Sequence, residues 1–296
     1  MLLGTNMAKN KLLAFGCSYT EHYEHSVWAM GVDHSFPRWP QLLADKLDME
    51  CVNLGRTGMG NEYMTAKLLE ALHRHKNVGL IVIMWSEFQR MDFQIATDAW
   101  NSLHPHRDNE RFEQFPMNMK GRKALLEYNN IVSSTMKSIR LFLIAQELCR
   151  SFPYLMIQGC VPVVDAQYLN RPETIDDTEI TFLSKDDLAG DIGNSVNFGN
   201  PRFPYPKTNF DTVFKIRKKA IQQILKYDIA DKINEDKFIG WPLFSEVDGF
   251  CVDNILDNLD PLREKYRVSK KDSHPNGPGH EVISEEIYKA YKKVYE

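Results

Sequence analysis

A serine near the start of the chain follows an apolar segment and could act as a nucleophile. Residues 12–15 are apolar, and residues 16–20 read Gly-Cys-Ser-Tyr-Thr, with the serine at position 18. The apolar run predicts a strand buried on both faces, and ligands bind at the carboxyl edge of an open parallel sheet. At that edge the backbone N–H of Ser18 would be free to point at a developing oxyanion. The alternative is that this small residue belongs to an ordinary turn.

A carboxylate and an imidazole lie close together near the other end of the chain. Residues 272–276 read Asp-Ser-His-Pro-Asn. A serine hydroxyl has too high a pKa to attack a carbonyl unaided, so it needs a neutral imidazole to take its proton and a carboxylate to orient that imidazole. Asp272 and His274 could supply both groups. The alternative is a turn rich in Asp and Asn that leads into a helix.

The elements between these two segments must bring them together. Apolar periodicity predicts strands and helices in alternation, which favours a parallel sheet with right-handed crossovers. The predicted strands cover residues 12–15, 51–54, 80–84 and 154–158. The predicted helices cover residues 40–47, 61–73, 131–149, 214–233 and 280–295.

Two long segments interrupt this alternation. Residues 93–129 are polar and without periodicity, and residues 165–209 are rich in turn-forming residues, so both are interpreted as insertions on the surface. The aromatic residues of the second insertion could form a lid over the site or a surface for a partner. Since the chemical groups lie at both chain ends and must meet, we expect a single domain over residues 8–296.

Taken together, three short motifs resemble those of the SGNH/GDSL hydrolases. They are Ser18 after the first strand, Asn-Leu-Gly-Arg-Thr-Gly at 53–58 after the second, and residues 272–276 with Gly279-His280 before the last helix. The resemblance covers most of the chain outside the insertions. It implies an α/β fold, a flavodoxin-like three-layer sandwich with a central parallel sheet of about five strands. It also implies the activity of esterases, lipases or carbohydrate deacetylases.

The resemblance assigns a role to four residues. Ser18 would be the nucleophile and would give one N–H to the oxyanion hole. Gly58 would give the second N–H, because glycine lets the backbone approach the substrate closely; otherwise it is only part of a flexible turn. His274 would be the general base and then the general acid, oriented by Asp272. The implied reaction is cleavage of an ester, acetyl or carbohydrate-linked, through an acyl-enzyme on Ser18.

Two departures from the family pattern concern the serine and histidine motifs; the first is mild, and the second weakens the role of Asp272 more than that of His274. Cys17 stands where the family's Gly-Asp-Ser motif has its acid, which is not the carboxylate that orients the histidine. Asp272 and His274 are separated by one residue where the family usually has two. The carboxylate must therefore reach the imidazole ring through a different turn.

A third departure concerns the oxyanion hole. The family places an asparagine after the third strand, but here the chain reads Trp85-Ser86-Glu87, with Arg90 three residues on. An ionised carboxylate only accepts hydrogen bonds and would repel an oxyanion. Ser86, Glu87 and Arg90 are candidate substrate or oxyanion contacts, or Glu87 and Arg90 form a structural ion pair. Trp-Ser with a following Arg is also similar to a subgroup that includes phage-encoded proteins.

The same departure supports a rival hypothesis. In it the chain keeps the SGNH scaffold but is a catalytically weak or inactive module that binds a sugar or another partner, or that has a structural role. Its supporting features are Glu87 at the asparagine position and the two long insertions.

Composition excludes several other functions. The chain has 296 residues and a net charge of -4 without a basic cluster, which argues against nucleic-acid binding. Its five cysteines are scattered, so we expect reduced, mostly buried thiols. The histidines at 22 and 25, with glutamates at 21 and 24, lack a metal-ligand order, so we expect neither a metal nor a cofactor. No segment is typical of a signal peptide or a membrane span.

These observations indicate a cytoplasmic protein, or a virion-associated one if it is phage-encoded. The expected partner is a small-molecule or carbohydrate ester. The oligomeric state is left open by the sequence.

Overall fold

The computed structural model describes residues 9–22, 33–103, 131–162, 218–219, 221–227, 229–269 and 272–296. Seven strands and five α-helices are bounded within these ranges. In chain order they are β1 (Lys11–Phe15), α1 (Trp39–Lys46), β2 (Glu50–Asn53), α2 (Asn61–Arg74), β3 (Val78–Trp85), β4 (Met91–Ala96), β5 (Ala99–Leu103), α3 (Ile131–Leu148), β6 (Tyr154–Gln158), β7 (Phe238–Ile239), α4 (Val252–Leu259) and α5 (Gly277–Tyr295).

Five of the strands form one sheet in the order β2-β1-β3-β6-β7, and every neighbouring pair is parallel. Counted along the chain, these strands lie in the order 2-1-3-4-5, which is the flavodoxin-like arrangement. The predicted α/β fold with a parallel sheet of about five strands is confirmed. The chain order reverses between β1 and β3, and ligands bind at such a switch point.

The sheet is covered by helices on both faces. Strands β1, β3 and β6 are apolar along nearly their whole length because side chains on both faces are buried. Helix α1 packs against α5, and α2 packs against α3. Strand β2 lies on one side of β1 and β3 lies on the other, so the chain moves across the sheet in opposite directions in its first two crossovers. Right-handed crossovers in opposite directions place their helices, α1 and α2, on opposite faces of the sheet. The carboxyl ends of β1 and β3 therefore open between two helical layers.

The first predicted insertion begins with regular structure that its sequence was not expected to form. Strands β4 and β5 form an antiparallel hairpin over residues 91–103, which overlaps the start of the segment at 93–129 that was described as polar and without periodicity. Residues 91–96 alternate apolar and polar up to position 95, which is a strand pattern, but Phe93 and Ile95 are exposed. Asp92 attaches the hairpin to the start of α2, since its carboxylate accepts the N–H groups of Gly60 and Tyr63.

Other predicted elements agree with the structure to differing degrees. The helix expected over residues 214–233 is helical at 218–219 and 221–225, and a 3₁₀ turn follows at Ala230–Lys232. Neither β7 nor α4 was predicted. The five cysteines are free, and four of them are buried. The single domain over 8–296 and its insertions stay a prediction, since residues 104–130 and 163–217 lie outside the described residues.

Candidate active site

Ser18 lies in a tight turn directly after β1, at the switch point of the sheet. The carbonyl of Cys17 accepts the N–H groups of Thr20 at 2.9 Å and Glu21 at 3.0 Å, which closes the turn around the serine. Gly16 makes this turn possible, because a Cβ there would lie 2.0 Å from the hydroxyl oxygen of Thr20. Ser18 is 8% exposed. The end of the strand thus presents a hydroxyl on a rigid support.

The two ends of the chain meet at this serine. His274 Nε2 lies 2.8 Å from Ser18 Oγ, and His274 Nδ1 lies 2.5 Å from Asp272 Oδ1. A carboxylate can only accept, so Nδ1 carries the ring proton and Nε2 is the acceptor that faces the serine hydroxyl. The imidazole is 22% exposed and the carboxylate 5%. The arrangement can move a proton from the hydroxyl to the ring.

The single-residue spacing of Asp272 and His274 is accommodated by a local turn. Asp272 Oδ1 accepts the backbone N–H of His274 at 3.0 Å as well as the ring Nδ1. The loop is also held at its flanks: the carbonyl of His274 accepts the Val268 N–H at 2.8 Å, and Asn276 caps α5 by accepting the Gly279 N–H at 3.0 Å. The start of the last helix therefore fixes the histidine loop.

The glycine turn lies beside the serine turn. Gly58 has a φ of 79°, a conformation that favours glycine. Asn53 Nδ2 donates to the Thr20 carbonyl at 2.7 Å, and the Glu21 carboxylate accepts the Thr57 N–H. These two bonds attach the segment before Gly58 to the turn that carries Ser18. The role of Gly58 in an oxyanion hole stays a prediction.

The three candidate contacts that follow β3, which are Ser86, Glu87 and Arg90, are packed into the interior. Glu87 Oε2 lies 3.2 Å from Arg90 Nε, and Arg90 Nη1 donates to the Met59 carbonyl at 2.8 Å. Both charged side chains are buried. Burial alone would lower the pKa of the Arg90 guanidinium, but the nearby Glu87 carboxylate raises the pKa above its ordinary value, so the guanidinium stays charged. Ser86 is fully buried, and its N–H donates to Asn61 Oδ1 at 2.9 Å.

Sequence reasoning missed three residues next to the histidine loop. Tyr19, Asp253 and Arg267 form a buried cluster that contacts the backbone of Ser273. Tyr19 lies within the serine motif, yet a tyrosine there gives no sequence signal of its own. Asp253 and Arg267 lie in a segment without any motif, so only the fold brings them to the site.

Two absences hold for the described part of the chain. No group of three or more His, Cys, Asp or Glu residues there could hold a metal ion. Residues 24 and 25, part of the cluster weighed as a metal site, lie outside the described residues. No helix in the described ranges is long and apolar enough to cross a membrane.

The sequence matches no protein-family model, and no curated protein matches it. Several solved structures are similar to the chain. A lipolytic protein of the G-D-S-L family from Veillonella parvula is 12% identical with a TM-score of 0.39, covering 96% of this chain and 99% of its own. A putative lipolytic protein of that family from Desulfitobacterium hafniense is 10% identical with a TM-score of 0.39, covering 95% and 99%.

An acetyl-xylooligosaccharide esterase variant from Geobacillus is 14% identical with a TM-score of 0.36, covering 96% of this chain and 94% of its own. These solved structures are of lipolytic and esterase proteins, the class that the sequence motifs resemble. At these TM-scores and identities, the likeness carries no inference about the activity of this chain.

Proposed function

We propose that this chain is a serine hydrolase of the SGNH/GDSL type, which cleaves an ester through an acyl-enzyme on Ser18. The observation that carries the proposal is the pair of hydrogen bonds from Asp272 through His274 to the serine hydroxyl, at 2.5 Å and 2.8 Å. These groups come from opposite ends of the chain, and they meet at the sheet edge where open α/β sheets bind ligands.

The reaction follows from the direction of these bonds. As Ser18 Oγ attacks the ester carbonyl, its proton passes to His274 Nε2, and Asp272 stabilises the imidazolium that forms. The tetrahedral intermediate collapses when the carbon–oxygen bond of the alcohol breaks, and the imidazolium gives its proton to the departing alkoxide. Water then attacks the acyl-serine with His274 again as base, which releases the acid and restores the serine.

The negative oxygen of the intermediate needs donors. In the proposal, the backbone N–H groups of Ser18 and Gly58 supply them. The amide that the family resemblance expects after the third strand is replaced by Glu87, which is paired with Arg90 at 3.2 Å. Losing one oxyanion donor costs roughly 100- to 1000-fold in turnover. We therefore expect a slow esterase.

The substrate class is proposed from the loops around the serine. Their residues are mostly polar. This favours an ester of a small acyl group such as acetyl, on a small alcohol or on a carbohydrate, over an ester of a long lipid chain. We propose no cofactor for this reaction, because the proton transfers need only the side chains already named.

One observation favours a second candidate function. By its order after β3, Glu87 stands where the family resemblance expects an oxyanion donor, and its side chain is buried against Arg90. A module that keeps the scaffold for binding or assembly without turnover would tolerate such a pair. In that case the serine and histidine would be inherited features without catalysis.

Hydrolysis of p-nitrophenyl acetate between about pH 6 and pH 9 separates the two candidates, since the base must be neutral to act. We expect turnover in the wild type and a loss of at least about 10,000-fold in Ser18→Ala. Ser284→Ala is the matched control, because Ser284 is buried in α5 and its hydroxyl has no hydrogen-bond partner among the residues that the structure describes. Absence of turnover in the wild type throughout this pH range would favour the binding module.

A further inference from the structure

Tyr19 contacts both the imidazole and the loop that carries it. Its ring meets the ring of His274 edge-on, with centroids 5.4 Å apart and an interplanar angle of 68°. Its hydroxyl oxygen lies 2.8 Å from Asp253 Oδ1 and 3.0 Å from the carbonyl oxygen of Ser273. Since Tyr19 directly follows Ser18, one side chain connects the nucleophile's turn to the histidine loop.

Arg267 also contacts this carbonyl. Its Nη1 donates to Ser273 O at 2.5 Å and lies 2.9 Å from Asp253 Oδ1, while its Nη2 donates to Asp257 Oδ1 at 2.8 Å. The Arg267 side chain is fully buried. Asp253 is fixed in turn, because its Oδ2 accepts the Val161 N–H at 3.0 Å. The Ser273 carbonyl is thus held by a rigid charged cluster.

The protonation states keep this cluster intact. Burial, followed by the nearby Asp253 carboxylate, raises the pKa of Tyr19 well above its ordinary value, so the hydroxyl stays a donor. Burial alone would lower the pKa of Arg267, but Asp253 raises it above the ordinary value, so the guanidinium stays charged. A tyrosine has one proton to give, and it lies nearest to Asp253, which leaves Arg267 as the main donor to the carbonyl.

We propose that Tyr19, Asp253 and Arg267 are positioning residues, which together set where the imidazole stands relative to the serine hydroxyl. The Ser273 carbonyl belongs to the same peptide group as the His274 N–H, and that N–H donates to Asp272 Oδ1. Holding that carbonyl fixes the carboxylate and the ring at once. The inference rests on the proposed function, since the positions matter for turnover only if His274 acts as a base.

The chain contains a tyrosine that serves as a matched control. The hydroxyl of Tyr295 donates to the Tyr154 carbonyl at 2.9 Å and accepts the Tyr154 N–H at 2.8 Å. These bonds lie at the amino end of β6, the opposite edge of the sheet from Ser18. Tyr295→Phe therefore removes a tyrosine hydroxyl that is also held by hydrogen bonds, without touching the histidine loop.

The kinetic test compares Tyr19→Phe with Tyr295→Phe on p-nitrophenyl acetate. Tyr19→Phe keeps the ring that packs on the imidazole and removes only the hydroxyl. A displacement of the base on the order of 1 Å costs about 100-fold, so we expect kcat to fall roughly 10- to 100-fold with KM changed less than about twofold. Tyr295→Phe should leave kcat per folded molecule unchanged. Equal kcat in the two variants would overturn the proposal.

A second measurement does not depend on turnover. An imidazole Nδ1 proton that is hydrogen-bonded to a carboxylate, as between His274 and Asp272, resonates far downfield in a proton NMR spectrum. We expect this resonance in the wild type and in Tyr295→Phe, and its shift or loss in Tyr19→Phe. A resonance unchanged in Tyr19→Phe would overturn the proposal. If the wild type shows the resonance but hydrolyses no ester, the proposed function fails while the positioning of the ring is still tested.

The link through Asp253 is tested by a double-mutant cycle. If the tyrosine hydroxyl acts through the carboxylate, the effects of Tyr19→Phe and Asp253→Asn on kcat are less than additive. Fully additive effects would overturn the claim that these residues work as one cluster.

Discussion

The ends of β1 and β3 lie side by side at one edge of the sheet, and both carry polar and charged groups, yet these groups are connected differently. After β1, the bonds run from Asp272 through His274 and end on the hydroxyl of Ser18. After β3, they run from Glu87 through Arg90 and end on the backbone carbonyl of Met59. The first series ends on a group that can react, and the second ends on a group that cannot.

This difference predicts that the two regions respond differently to mutation. We call Ser18, His274 and Asp272 the β1 side, and Glu87 and Arg90 the β3 side. A charge removed from the β1 side disturbs a proton path, so turnover should fall more than stability. A charge removed from the β3 side leaves a buried partner without its counterion, so stability should suffer more than turnover. The comparison fails if either region shows the opposite response.

The largest expected effect is on turnover at the β1 side. We expect His274→Ala to lower kcat for p-nitrophenyl acetate by at least about 10,000-fold, because the serine loses its base. His73→Ala is the control, since His73 is an exposed residue in the last turn of α2. A loss of less than about tenfold in His274→Ala would mean that the imidazole is not the base.

The next effect is on stability at the β3 side. Glu87→Gln leaves the buried Arg90 charge unpaired, so we expect the free energy of unfolding to fall by about 3–5 kcal/mol in a denaturant titration. The matched control is Glu285→Gln, which breaks the exposed 3.0 Å pair with Lys46 and should cost less than about 1 kcal/mol. Equal losses in both variants would contradict the assignment of a structural role to the Glu87–Arg90 pair.

The smallest expected effect is on how the stability depends on pH, and it comes from a second histidine near His274. His280 is buried in α5, and its Nδ1 accepts the Trp39 N–H at 3.3 Å. Burial, then Arg38 and His274, lowers its pKa well below the ordinary value of 6.5. Below about pH 6.5 the unfolded chain binds a proton that the folded chain does not, so stability falls as the pH falls, by up to about 1.4 kcal/mol per pH unit.

His280→Gln removes this titration and keeps an acceptor in the side chain. Free energies of unfolding measured between about pH 5 and pH 7 should therefore decline less steeply in the variant than in the wild type. Parallel pH profiles for the two proteins would contradict a neutral, buried His280.

The sequence predicted the parts of the fold that repeat a pattern. Strands β1, β3 and β6 are apolar along nearly their whole length, and helices α2 and α3 show helical spacing, so their positions follow from burial alone. Strand β7 could not be found in this way, because its two residues are too short to show a period. The hairpin at 91–103 was missed because its alternating residues, Phe93 among them, face outward and looked like an irregular surface loop.

The residues of the candidate site also fall into two groups: those that the sequence indicated and those that only the folded chain brings together. Ser18, His274 and Asp272 have side chains that suit acyl transfer, and short motifs surround them, so they could be named before the structure. Tyr19 and Arg267 could not, because their importance comes from a contact with one backbone carbonyl, and that contact exists only in the folded chain. No residue pattern encodes such a contact.

Covalent labelling tests the central claim most directly. A fluorophosphonate reacts far faster with a serine that a neighbouring base activates than with other hydroxyl groups. The serine oxygen displaces fluoride, so one phosphonyl group is added to the protein. Mass spectrometry of the intact protein and of its peptides should find a single adduct, on Ser18, and the adduct should disappear in Ser18→Ala and form far more slowly in His274→Ala. An unlabelled wild type, or an adduct on a different serine, would contradict the account.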